Sequence, residues 1–155
     1  AGLPLQLAIT VVNAGASCAP VTNASVEIWH CDAAGNYSEY GNLTSSTWLR
    51  GIQPVDSSGV ARFTTIYPGW YAGRATHIHI EVFVNNRLVK TSQIAFPEEI
   101  NSAVYATGVY ASKGQNPTKN TNDGIFADGV TSELATLTGN ASSGYSATFQ
   151  VGITL

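Results

Sequence analysis

The chain has 155 residues, enough for one domain with a single core and too few for two comfortable ones. Its composition, 44% apolar and 11% charged, is that of a globular protein and excludes a disordered one. A net charge of −3 with only seven Lys plus Arg argues against nucleic acid or an anionic membrane surface as the main partner, and no apolar run approaches the ~20 residues of a membrane-crossing helix.

Leu3, Leu5, Leu7, Ile9 and Val11 alternate with other residues and predict a first strand. Asn13 to Ser17 is a turn. A second strand follows from Ala24 to Cys31, with Val26, Ile28 and His30 on one face and Glu27, Trp29 and Cys31 on the other. On that face His30 reads as a hydrogen-bonded structural residue, and Trp29 reads as core. The loop Asp32-Ala-Ala-Gly35-Asn36-Tyr37-Ser38 then presents Tyr37 at the strand end. Gly51 to Val55 and Val60 to Tyr67 flank the turn Asp56-Ser-Ser-Gly59 and predict a hairpin. Pro68-Gly69 breaks the strand.

Beyond Tyr71 the pattern is strict. Ile78, Ile80, Val82 and Val84 share one face of a strand; His77, His79, Glu81 and Phe83 share the other. Two imidazoles two residues apart on a strand point the same way and can share one metal ion. Asn85-Asn86 signals a hairpin into Leu88 to Phe96, which carries Gln93. Pro97-Glu-Glu opens a short helix with Ile100, Val104 and Tyr105 on its apolar stripe. Ala111 to Gly129 reads as a long ordered surface loop at the rim of a site, and strands at Ser132 to Leu137 and Ala147 to Leu155 complete the chain. The sum is a single all-β domain over residues 1–155, an antiparallel β-sandwich with long loops and little helix.

The sequence starts at Ala1 and has no Met, which predicts a removed signal peptide or a trimmed chain. The pair Cys18 and Cys31 predicts one disulfide in an oxidising, extracellular compartment. Sequons at Asn23, Asn36, Asn42 and Asn140 add little in so Asn-rich a chain.

Four separated motifs now matter together. They are Trp29-His30-Cys-Asp32 with Gly35-Asn-Tyr37; Ile66-Tyr-Pro68-Gly69-Trp-Tyr71; Arg74-Ala-Thr-His77-Ile-His79; and Thr91-Ser-Gln93-Ile. Their succession resembles the intradiol ring-cleavage dioxygenases, non-haem iron(III) enzymes that open catechols between the two hydroxyls. The likeness runs from the first strand to Asn122-Asp123-Gly124 and is to short, secreted members without an N-terminal helical region.

The resemblance implies Tyr37, Tyr71, His77 and His79 as iron ligands, Arg74 as the arginine three residues before the first histidine, and Gln93 as the family's glutamine on the following strand. It implies that catechol binds the iron through both oxygens and displaces Tyr71, and that both atoms of dioxygen enter a cis,cis-muconate-type product. Arg74 and Gln93 would meet the negative charge that develops on the ring. Iron(III), a hard ion, suits phenolate oxygen and imidazole. The chain departs from the common pattern at Ala75, where proline is usual, and at bulky Trp70; both bear on the shape of the pocket. Tyr40, Tyr67 and Trp70 are candidates for its aromatic mouth. Catechol, hydroxyquinol, protocatechuate and larger lignin-derived diols stay open as substrates, as does the oligomeric state. A secreted sandwich that binds sugars or aromatics without chemistry is the alternative reading. A copper–zinc dismutase needs more than three histidines, and a cupin's further glutamate is missing.

Overall fold

The computed structural model describes residues 1–155. Nine strands form two packed sheets. They are β1 (Pro4–Asn13), β2 (Ala19–Pro20), β3 (Ala24–Trp29), β4 (Arg50–Pro54), β5 (Val60–Ile66), β6 (His77–Val84), β7 (Arg87–Ala95), β8 (Thr136–Asn140) and β9 (Gly144–Ile153). One helix, α1 (Glu98–Tyr105), follows β7. The larger sheet runs β2-β1-β9-β8, with β5 also paired to β1; the smaller runs β4-β3-β6-β7.

The core lies between the sheets, where period-two alternation places it. Leu5, Leu7, Ile9 and Val11 of β1 face Val26 and Ile28 of β3 and Ile78, Ile80 and Val82 of β6 across a layer closed to water. Each such side chain contributes roughly 1.5–3 kcal/mol of burial free energy. The sandwich has one parallel pairing, β1 with β9. These strands come from opposite ends of the chain, so no tight turn fixes their direction.

Three expectations need correction. The turn at Asp56–Gly59 forms, with the Asp56 side chain accepting from the N–H of Ser58 and Val60, but its flanking strands do not make a ladder with each other. Strand β4 pairs with β3 and β5 with β1, so the turn is a corner between sheets. Turn chemistry specifies a reversal and leaves open which edge each arm finds. The predicted Cys18–Cys31 disulfide is not formed: both thiols are free, Cys18 exposed and Cys31 buried. Strand β3 lies between them, and six residues at about 3.3 Å each carry the chain from one end of the sandwich to the other. Burial pushes the Cys31 thiol up to about 12, which makes it inert. Finally, Tyr67 is wholly buried, with its ring on Phe96 and its hydroxyl donating to Asn101 Oδ1 at 2.6 Å; it is core and not pocket mouth.

His30 has the structural role its strand face predicts. Its Nδ1–H donates to Cys31 O at 2.8 Å and its Nε2 accepts from Thr65 Oγ1 at 2.9 Å. Burial pushes this imidazole down to about 4. The unfolded chain, with His30 near 6.5, therefore binds a proton over a pH range where the folded one does not. Stability is full above pH ~6.5 and falls as pH drops towards ~4, by on the order of 3 kcal/mol from this residue. Urea melts of metal-free protein at pH 7 and pH 5 should show the loss, and His30→Gln should reduce it, leaving the part that His77 and His79 contribute; an unchanged slope in that variant rejects the assignment.

Candidate metal centre

The site sits on the outer face of the smaller sheet, at the end where β3 finishes and β6 begins. Register builds its floor: Arg50, Trp29, His79 and Gln93 stand opposite one another across β4, β3, β6 and β7 in a single row. Trp29 therefore lies outside the core, correcting the sequence reading, and its ring stacks on His79 at 4.9 Å and 5°. This flat contact fixes the plane of the imidazole.

Two loops bring the tyrosines over that floor. Tyr37 comes from the loop after β3 and Tyr71 from the loop after β5. The loops touch where Gly69 N donates to Asp32 O at 3.1 Å. A Cβ on Gly69 would run into the Asp32 carbonyl, and one on Gly35, at φ +91°, into the Trp70 carbonyl. Helix α1 supports the second loop from below: the Tyr105 hydroxyl lies 3.0 Å from Pro68 O and 3.2 Å from Gly69 O, and 2.6 Å from Thr76 Oγ1.

The four predicted donors converge. Tyr37 Oη is 3.4 Å from Tyr71 Oη and 3.2 Å from both His77 Nε2 and His79 Nε2. Tyr71 Oη is 3.2 Å from His77 Nε2, and the two Nε2 atoms are 3.1 Å apart. A tetrahedral shell about 2.0–2.1 Å from a common ion has edges of about 3.3–3.4 Å, so these five distances fit donors that share one ion.

Hydrogen bonding alone does not account for this crowding. His77 Nδ1–H donates to Ala75 O at 2.7 Å, which leaves a single lone pair on Nε2. Four polar atoms surround that lone pair, the Nε2 of His79 among them, and one lone pair cannot satisfy all four. Burial pushes His77 down to about 4; burial and the neighbouring His77 push His79 down to about 3. Both rings are thus neutral at pH 7, with lone pairs free for a metal. Burial, then the Tyr71 hydroxyl, holds the Tyr37 phenol well above its usual value without an ion. A bound trivalent cation reverses that order and favours phenolate. The donor set fits such an ion. No group of three or more His, Cys, Asp or Glu side chains converges in the chain, so the cluster at His77 and His79 depends on the two tyrosines for its further donors.

Arg74 and Gln93 also meet. Arg74 Nη2 donates to Gln93 Oε1, its Nη1 lies 3.4 Å from His77 Nε2, and its Nε donates to Asp123 Oδ2 at 2.9 Å. Asp123 was legible only as part of a loop at the rim. Its fully buried side chain accepts in addition from Ala75 N at 2.6 Å and Ile125 N at 2.7 Å. It therefore fixes both Arg74 and the residue whose carbonyl orients His77. Nothing in the spacing ties position 123 to position 74.

Beside the donors opens a pocket of about 780 Å³, walled by Trp29, Tyr40 and Leu43 and floored by Tyr37, Tyr71 and His79. Tyr40 is 60% exposed, so its ring is free to meet a ligand. Trp70 is instead half-buried and hydrogen-bonded to Gly114 O at 2.9 Å, outside the wall. No lining residue is charged. The nearby Arg50 pairs with Glu39 at 3.1 Å beneath the rings of Trp29 and Tyr40.

The family pattern described as Dioxygenase matches residues 1–116, and the chain belongs to that family. It is an intradiol ring-cleavage dioxygenase. None of the curated proteins matches it. Among solved structures, it is similar to an intradiol ring-cleavage dioxygenase from Tetranychus urticae, with a TM-score of 0.90 and 24% identity over 99% of this chain and 82% of that one. It is also similar to the dioxygenase domain of a dioxygenase carbohydrate-binding protein fusion from Streptomyces sp. SirexAA-E, with a TM-score of 0.73 and 26% identity over 100% and 82%. The catechol 1,2-dioxygenase of Acinetobacter sp. ADP1 shares the fold at a TM-score of 0.62 and 21% identity, and this chain spans 53% of it. The family is in general iron(III)-dependent and acts on catechol-type diols with dioxygen. An enzyme family displaces the reading as a binding module without chemistry. No helix is long and apolar enough to cross a membrane.

Proposed function

We propose that this chain cleaves uncharged catechols with dioxygen at a non-haem iron(III) ion held by Tyr37, Tyr71, His77 and His79, giving cis,cis-muconate-type products. The observation that carries the reading is the convergence of those four donors at 3.1–3.4 Å. Bound iron(III) supplies a Lewis acid and a template for the two diol oxygens. The protein supplies the rest. Tyr37, Tyr71 and His79 all line the pocket; the family resemblance assigns to Tyr71 the role of the ligand that would give way to substrate, its Oη then taking up a catechol proton. His79, held flat by Trp29, and His77, tethered through Nδ1, stay in place. Arg74 offers a fixed positive charge next to the donor cluster, and Gln93 and Asp123 hold it there. Tyr40 and Leu43 exclude water from one side of the ring.

The absence of a lining charge and the pairing of Arg50 with Glu39 support a neutral substrate, because a carboxylate there would go unpaired. The test is a visible spectrum of iron-loaded protein, followed by anaerobic catechol and then oxygen uptake. A tyrosinate–iron(III) charge-transfer band that shifts with catechol is expected, with turnover of catechol at least about tenfold above that of protocatechuate. Protein that stays colourless after iron reconstitution overturns the reading.

A further inference from the structure

Lys113 lies outside every motif that points to the site, in the turn-rich segment after α1, yet it touches both tyrosine loops. Its Nζ donates to Ala34 O at 2.6 Å and to Trp70 O at 2.5 Å. Ala34 stands three residues before Tyr37; Trp70 is adjacent to Tyr71. The same ammonium lies 4.5 Å from the centroid of the Trp70 ring. Trp70 in turn donates from Nε1 to Gly114 O at 2.9 Å, so the lysine and the loop it closes are tied by contacts in both directions.

Two carbonyl oxygens aimed at one point repel unless a cation stands between them. Lys113 makes no ion pair, so its charge is available for this task. Beyond it, the backbones of the two loops are joined by the Gly69 N to Asp32 O bond and by the close approach of Gly69 to Ala33 and of Gly35 to Trp70. We infer that Lys113 is a positioning residue: an ammonium keystone that sets the spacing of Tyr37 and Tyr71 and thereby the affinity of the tyrosine pair for the trivalent ion. The inference rests on the proposed iron site. It gives the surface segment that follows α1 a direct hold on the centre.

The test uses the full chain and three variants: Lys113→Met, which keeps the length and removes the charge; Lys113→Gln, neutral and polar; and Lys113→Arg, which can still donate to two carbonyls. Metal-free protein is titrated with iron(III) against nitrilotriacetate, and the visible tyrosinate band is recorded. Lys113→Met and Lys113→Gln should bind iron about tenfold more weakly, the scale of one charge-assisted hydrogen bond, with a shifted or weakened band. Lys113→Arg should restore both. Thermal midpoints of the metal-free forms separate this from general destabilisation, and Lys113→Gln carries the test if the methionine variant does not fold. Parent-like affinity and band in a folded neutral variant overturn the inference while leaving the iron site standing. A parent protein that binds no iron removes both.

Discussion

His79→Ala should abolish iron binding and, with it, all measurable oxygen uptake with catechol. The imidazole contributes one of four converging donors, 3.1 Å from His77 Nε2 and 3.2 Å from Tyr37 Oη. Three donors with one vacant corner hold a trivalent ion far less tightly, and an ion so held is lost on dialysis against chelator. Tyr37→Phe should do the same by removing the hydroxyl that contacts all three of the other donors. The fold should survive both changes, because His79 points away from the core formed by Ile78 and Ile80. Iron content by elemental analysis and the visible band measure the outcome together with a thermal melt of the metal-free form. A His79→Ala protein with stoichiometric iron and its full colour would remove this residue from the centre.

The second large effect separates binding from turnover. Arg74→Ala should keep its iron and its colour but lose about 10²–10³-fold in kcat, the range seen when one fixed electrostatic donor is removed from a site. Arg74 is no donor to a cation; it stands 3.4 Å from His77 Nε2 and offers charge that the diol's developing anion can use. Its removal takes one of three hydrogen bonds from Asp123, whose carboxylate keeps the N–H groups of Ala75 and Ile125. Arg74→Lys should recover little, since one ammonium does not reach Asp123, Gln93 and the donor cluster with the guanidinium's fork. Full activity in Arg74→Ala rejects the role.

The donor set was readable because its geometry is local in sequence. The His77-x-His79 pair lies on a strand whose other face, Ile78 to Val84, is fully apolar, so alternation alone fixes where both rings point. The two tyrosines follow strand ends marked by Gly35 and by Pro68-Gly69, and the order of the motifs did the rest. What stayed illegible depends on pairing at a distance. Trp29 alternates with Glu27, opposite Val26 and Ile28, and reads as core only by its size and apolarity; that it stands beside His79 becomes apparent only from the β3–β6 register. The arms of the Asp56–Gly59 turn pair with different sheets, which no feature of the turn encodes. Asp123 and Lys113 act across 49 and 43 positions on Arg74 and Trp70, from loops without periodicity. The expected disulfide failed for a related reason: composition suggests a compartment, whereas a bridge needs two ends of a strand to meet.

The parallel seam between β1 and β9 has a consequence for how the protein is made. All four strands of the sheet that carries His77 and His79 lie within residues 24–95 and form their ladders with one another. Strand β1 emerges before any of them yet must wait for β9, which emerges after all the others, before its second edge is covered. During synthesis a nearly complete active-site sheet therefore stands against a half-built partner, its apolar face poorly shielded. Long-range pairing of this kind is slow, because the loop-closure entropy is spent before the contacts that repay it form. The nascent chain is most exposed to misassociation just before β9 arrives.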